Sequence, residues 1–162
     1  MPGSVQYGYQ KRAVEMLAVS LFYERPPRLD APGLESRIRQ ALPHTRLVSE
    51  RSKPSPLLFA HEADAHIGEY SDGRAAAQTA AIFSYEFKKQ VPDFAPELGQ
   101  TWDWPGAEAA VEGCKPYVTL TEMTCRHLDA RTRLQLFQTV LLAFVETTRP
   151  RAILWAPACK FL

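Results

Sequence analysis

Cysteine is scarce in this chain: Cys114, Cys125 and Cys159 are all there is in 162 residues. Three thiols cannot all pair within one chain, which argues against a disulfide framework and for a reducing, cytoplasmic setting. Long apolar runs are also missing. None approaches the roughly 18 residues of a membrane span, so no membrane partner is expected. The eight glycines are scattered, and neither GxGxxG nor GxxxxGK[ST] occurs, which speaks against nucleotide binding by the common phosphate loops. Net charge is only +1, leaving no bulk attraction for nucleic acid. The basic stretch Arg37, Arg39, Arg46, Arg51 and Lys53 has no aromatic residues interleaved with it, so solvated charge explains it better than a nucleic-acid surface.

What the chain does contain matches an ordinary globular protein: 46% hydrophobic and 23% charged residues. Its length suits one domain, 1–162, able to bury about 68–70% of its unfolded surface. Residues 1–12 read as a loose N-terminal arm. Lys11 and Arg12 ahead of Ala13–Tyr23 have the outline of a signal peptide. Glu15 interrupts that run, however, and Glu24-Arg25-Pro26-Pro27 stands where a small-residue cleavage site belongs. Charge is unevenly spread. From Ser55 to Gly113 there are ten acidic residues and three basic ones, a net of −7, and the rest of the chain carries +8. Solvated loops and helix faces account for this; so does an acidic surface made for a basic partner.

Periodicity divides the chain into elements. Val14–Tyr23 reads as a central strand ended by Pro26 and Pro27. Asp30 or Ala31 opens a helix with Pro32 in its first turn and Leu34, Ile38 and Leu42 along one stripe. Thr45–Ser49 is a short strand. Leu57–His61 and Ala65–Tyr70 suggest a hairpin turning at Glu62–Asp64. Alanine-rich Arg74–Phe83 suggests a helix that Ser84–Gln90 continues, before Pro92, Pro96 and Gly99 impose a loop. Pro105–Glu112 is a short helix and Tyr117–Met123 an alternating strand. Asp129 caps the longest helix, Ala130–Thr147, and Ala152–Ala156 is a last strand. This order implies an α+β fold: a mixed or mostly antiparallel sheet with helices packed mainly on one face. Tyr117–Ala156 would be a right-handed crossover joining parallel strands.

Chemistry-bearing motifs are sparse. His61 and His66 flank the expected turn, and Cys125 and His127 form a C-x-H pair, but neither has the second pair that a closed zinc site requires. His61 reads as a surface or half-buried histidine. Ser20, Ser49 and Ser84 lack a nucleophile elbow. Cys125 lies near Arg126 and His127 without further signs of an activated thiol. No catalytic residue, metal ligand or cofactor is assigned on these grounds. One stretch stands out, Thr101-Trp102-Asp103-Trp104-Pro105-Gly106, with two indoles in a proline-bounded turn. One indole can plug the core edge while the other braces the loop. Alternatively the pair is an aromatic anchor rimmed by acid, as at interface hot spots.

The chain resembles the domain of unknown function 4261 family in four stretches. These are Met16–Leu29, the hairpin beginning Leu57-Leu58-Phe59, Thr101–Ala110 followed by Lys115–Leu120, and Asp129–Trp155. The Trp-x-Trp-Pro stretch before a helix is the most specific of them. The resemblance implies an α+β fold and, because family members occur in bacteria near secretion or toxin systems, a toxin-neutralising role. The resulting expectation is a non-catalytic, cytoplasmic immunity protein. Its partner would be a cognate bacterial toxin, such as a basic nuclease, met by Asp72, Asp93, Phe94, Glu97, Trp102, Asp103 and Trp104. The alternatives are an accessory component of a bacterial secretion apparatus, or an enzyme using His61, His66 or Cys125.

Overall fold

A computed structural model describes residues 16–49, 56–84 and 94–162. Its centre is β1 (Ala18–Tyr23), antiparallel on one side to β6 (Lys115–Met123) and on the other to β7 (Ala152–Trp155). The remaining strands are β2 (Thr45–Leu47), β3 (Leu57–His61), β4 (Ile67–Tyr70), β5 (Gly73–Phe83) and β8 (Lys160–Phe161). They form one eight-stranded sheet in the order β2-β3-β5-β6-β1-β7-β8, with β4 paired to the first part of β5. Every pairing is antiparallel.

Strand alternation assigns the two faces. Val19, Leu21, Phe59, Ala81, Val118 and Leu120 point to one side and are buried under α1 (Ala31–Ala41) and α4 (Ala130–Thr148). Leu34 and Ile38 from α1 and Phe137, Val140 and Phe144 from α4 complete this core. Each of these large side chains contributes about 1.5–3 kcal/mol by leaving water. Both helices begin on carboxylate caps. Asp30 accepts from the Gly33 amide at 3.1 Å, and Asp129 accepts from the amides of Arg131 and Thr132 at 2.9 and 3.0 Å.

The opposite face is covered at one end by two short helices, α2 (Ala95–Gly99) and α3 (Ala107–Val111). There Phe22, Ala152, Leu154 and Phe161 meet Phe94, Leu98, Trp104 and Val111. Phe22, Phe94 and Phe161 stack edge-on, with centroids 5.0–6.1 Å apart. Helices therefore cover both faces, the long pair on one and the short pair on the other.

Four sequence expectations fail here. The loop expected at Pro96 and Gly99 is instead the short helix α2, with Pro96 in its first turn where a missing amide proton costs nothing. Arg74–Phe83 is not helical: it lies in the eleven-residue β5. Its alanines at 77, 80 and 81 are buried where a strand meets neighbours on both edges, and that close packing overrides alanine's helix preference. Leu57–His61 and Ala65–Tyr70 do not pair with each other; β3 and β4 each pair with β5, and the hairpin closes at Ser71-Asp72 instead. Gly73, at φ +126°, supplies a conformation that side-chain-bearing residues avoid. Finally, β6 and β7 run the same way but are not neighbours, because β1 lies between them. The N-terminal arm at 1–12, most of Arg51–Pro56 and most of Ser84–Gln90 fall outside the described residues.

Candidate functional site

The Trp-x-Trp-Pro turn follows α2 and leads into α3. Thr101, buried at its start, donates from Oγ1 to the Glu97 carbonyl at 2.8 Å and accepts the Phe161 amide at 3.1 Å. The Trp104 amide donates to the Thr101 carbonyl at 3.1 Å, and the Ala107 amide to the Trp104 carbonyl at 3.0 Å. The two indoles separate. Trp104 packs half-buried against the second core, whereas Trp102 is 82% exposed. Lys160 of β8 brings its ammonium within 2.6 Å of the Asp103 carboxylate and 5.9 Å of the Trp102 ring centroid. That ammonium's hydrogen bond is the main reason the Asp103 carboxyl lies below its usual range.

The expected contact residues are thus divided. Trp102 and Asp103 share an exposed turn. Phe94 belongs to the aromatic triad, Trp104 to the core edge, and Glu97 to α2 beneath the turn. One Glu97 carboxylate oxygen is buried without a hydrogen-bond partner. Asp72 lies elsewhere, in the β4–β5 turn; three strands separate β5 from β8. Asp93 lies outside the described residues. Lys160 was not among the expected residues, since its link to Asp103 spans 57 positions and leaves no local pattern.

A second concave feature opens at the far end of β6. This cleft of about 600 Å³ is lined by Met16, Tyr70, Asp72, Glu122, Thr124, Arg126 and Arg133. Glu122 is 3% exposed; it accepts the Leu17 amide at 2.9 Å and pairs with the Arg133 guanidinium, whose Nε lies at 3.0 Å. The pairing raises the Arg133 pKa, against the opposing effect of burial. Thr124 takes a left-handed backbone at φ +50°, uncommon without glycine, with its Oγ1 donating to the Ala76 carbonyl at 2.7 Å. The guanidinium of Arg126 lies 4.7 Å over the Tyr70 ring. Charges on the lining balance, with two carboxylates against two guanidiniums.

The titratable residues singled out from the sequence do not converge. His61 is 1% exposed rather than at the surface. Its Nδ1 lies 2.9 Å from the Thr45 hydroxyl and its Nε2 3.1 Å from that of Thr79, so both ring nitrogens are occupied. Burial, reinforced by nearby His66, lowers its pKa to about 4, and the ring is held neutral. The Cys125 thiol is buried, donates to the Met123 carbonyl at 3.0 Å, and is pushed up by burial away from the thiolate form. Among the described residues no group of three or more His, Cys, Asp or Glu could hold a metal ion, and no helix is long and apolar enough to cross a membrane. No family model, curated protein or solved structure matches the chain.

Proposed function

We propose that this chain is a non-catalytic binding module that docks a basic protein through the Trp102 turn. The observation that carries this reading is an indole left 82% exposed on a turn braced by Thr101, Trp104 and Lys160. Tryptophan is enriched among interface hot spots, and a pre-braced turn loses little freedom when it binds.

Charge defines the partner. Residues 94–114 contain Glu97, Asp103, Glu108 and Glu112 and no Lys, Arg or His. The Lys160 ammonium already lies near the Trp102 ring and against Asp103. An arginine from a partner would compete for that same place, stacking on the indole and pairing with the carboxylate. The resemblance to the domain of unknown function 4261 family gives the reading its specific form: an immunity protein covering the basic working surface of a cognate bacterial toxin.

The test is co-expression with the product of the neighbouring gene. The intact chain should restore growth that this product suppresses. Trp102→Ala should not, with its dissociation constant raised about 30-fold or more, the scale of a hot-spot loss. Unchanged thermal unfolding of the variant would separate binding from folding. A harmless neighbouring product, or equal protection by Trp102→Ala, would remove the proposal.

A further inference from the structure

We infer that the cleft at the end of β6 binds a small apolar zwitterion: an apolar amino acid, or a short peptide of such residues with both ends free. Its amine meets Asp72, its carboxylate meets Arg126, and its apolar body lies on two methionines. The site is separate from the Trp102 turn and does not depend on what docks there.

The charges of the lining are of two kinds. Glu122 and Arg133 are buried and paired with each other, so together they offer a ligand no net charge. Asp72 and Arg126 are exposed and line the same cleft. Among the described residues they form no ion pair, either with each other or with a third charge. The cleft therefore presents one unpaired charge of each sign. A phosphate or a nucleic acid gains Arg126 but is repelled by Asp72, and a metal cation gains Asp72 but is repelled by Arg126. A ligand with one charge of each sign satisfies both.

Arg126 is held ready for a carboxylate. Strand alternation alone would carry Cys125 to the face opposite Glu122. The left-handed turn at Thr124 breaks that alternation, and Cys125 packs with Ala77 and with Leu136 of α4. Left-handed backbone at a residue other than glycine gathers at ligand sites. The next residue, Arg126, lays its guanidinium over the Tyr70 ring and hydrogen-bonds the Tyr70 hydroxyl through its side chain. Tyr70 is itself fixed, donating to the Thr124 carbonyl at 2.6 Å. A guanidinium has five N–H donors, so it keeps enough to grip a carboxylate with two parallel bonds.

Apolar contact comes from Met16 and Met123, which line the cleft and are 60% and 44% exposed. Methionine is pliable and adapts to irregular ligands. Covering both removes apolar surface from water. The volume of about 600 Å³ falls within the roughly 300–1,000 Å³ of small-molecule sites.

Titration of the full chain, followed by the methyl NMR signals of Met16 and Met123, tests this. Leucine, leucyl-leucine and leucyl-leucyl-leucine form a series of increasing separation between amine and carboxylate. At least one of them should shift both methyl signals saturably at millimolar concentration, and the tightest member shows whether the ligand is an amino acid or a peptide. Acetylating its amine or amidating its carboxylate should each weaken binding about tenfold, the scale of a charge-assisted hydrogen bond. Asp72→Asn should weaken the free ligand by a similar factor and leave the acetylated one unchanged. Arg126→Gln should do the same for the free and amidated forms. Trp102→Ala should alter none of these values. Methyl signals that stay in place across the series, or blocked ligands that bind as tightly as free ones, would overturn the site. The wild-type titrations decide the matter even where a variant folds poorly.

Discussion

Glu122 of β6 and Arg133 of α4 form an ion pair nearly closed to solvent, joining the sheet to its longest helix. Eleven residues separate them, and the carboxylate also receives the Leu17 amide from the lead into β1. Three segments therefore meet on one buried charge. Such a pair adds little over an apolar substitute of the same shape, yet removing one member strands the other.

Arg133→Ala should thus lower unfolding stability by about 3–5 kcal/mol. Glu122→Leu combined with Arg133→Met should recover most of that loss. Urea unfolding of the single and double variants checks the contrast. A double variant as unstable as the single one would mean that the pair itself, and not the stranded charge, sets the cost.

Acid should weaken the fold through His61. Its folded pKa, about 4, lies below the unfolded value of 6.5. Between these values the unfolded chain binds the extra proton, so stability is complete above pH 6.5 and falls as pH drops toward 4. The full loss is on the order of 3 kcal/mol. The urea midpoint measured from pH 7.5 to 4 should decline across that window, and His61→Gln should flatten the decline.

The three thiols should react in a fixed order. Cys159 is exposed, while Cys114 and Cys125 are buried and pushed up by burial. A maleimide reagent at neutral pH should modify Cys159 quickly and the other two only on unfolding. Rapid labelling of Cys125 in the folded protein would reopen its case as a nucleophile.

The legible parts of this molecule were those specified locally. Asp30 with Pro32, and Asp129 ahead of a dense apolar stripe, mark both long helices within a residue or two. Tyr117–Met123 shows its alternation openly, and Glu122 falls on the same face as Val118 and Leu120. That mismatch was a readable sign of a buried partner. His61, in step with Leu57 and Phe59, carried the same sign. By contrast, β5 was hidden because alanine prefers a helix until neighbours on both edges demand small side chains. The β3–β4 pairing was misassigned because proximity in sequence favours a hairpin, whereas both strands align on β5. β8 has only two residues and no periodicity to detect. In the Trp turn, position alone could not say which indole would face water; Trp104 is drawn inward by Val111, Phe22 and Phe161.

The short strand β8 acts as a clasp. Phe161 supplies an amide to Thr101 and a ring to the aromatic triad, and Lys160 steadies Asp103. A nick in the chain between Trp155 and Lys160 would loosen the segment bearing Trp102 while the core beneath α1 and α4 stayed assembled. The molecule displays its most exposed indole on a part that can come undone without dismantling the rest.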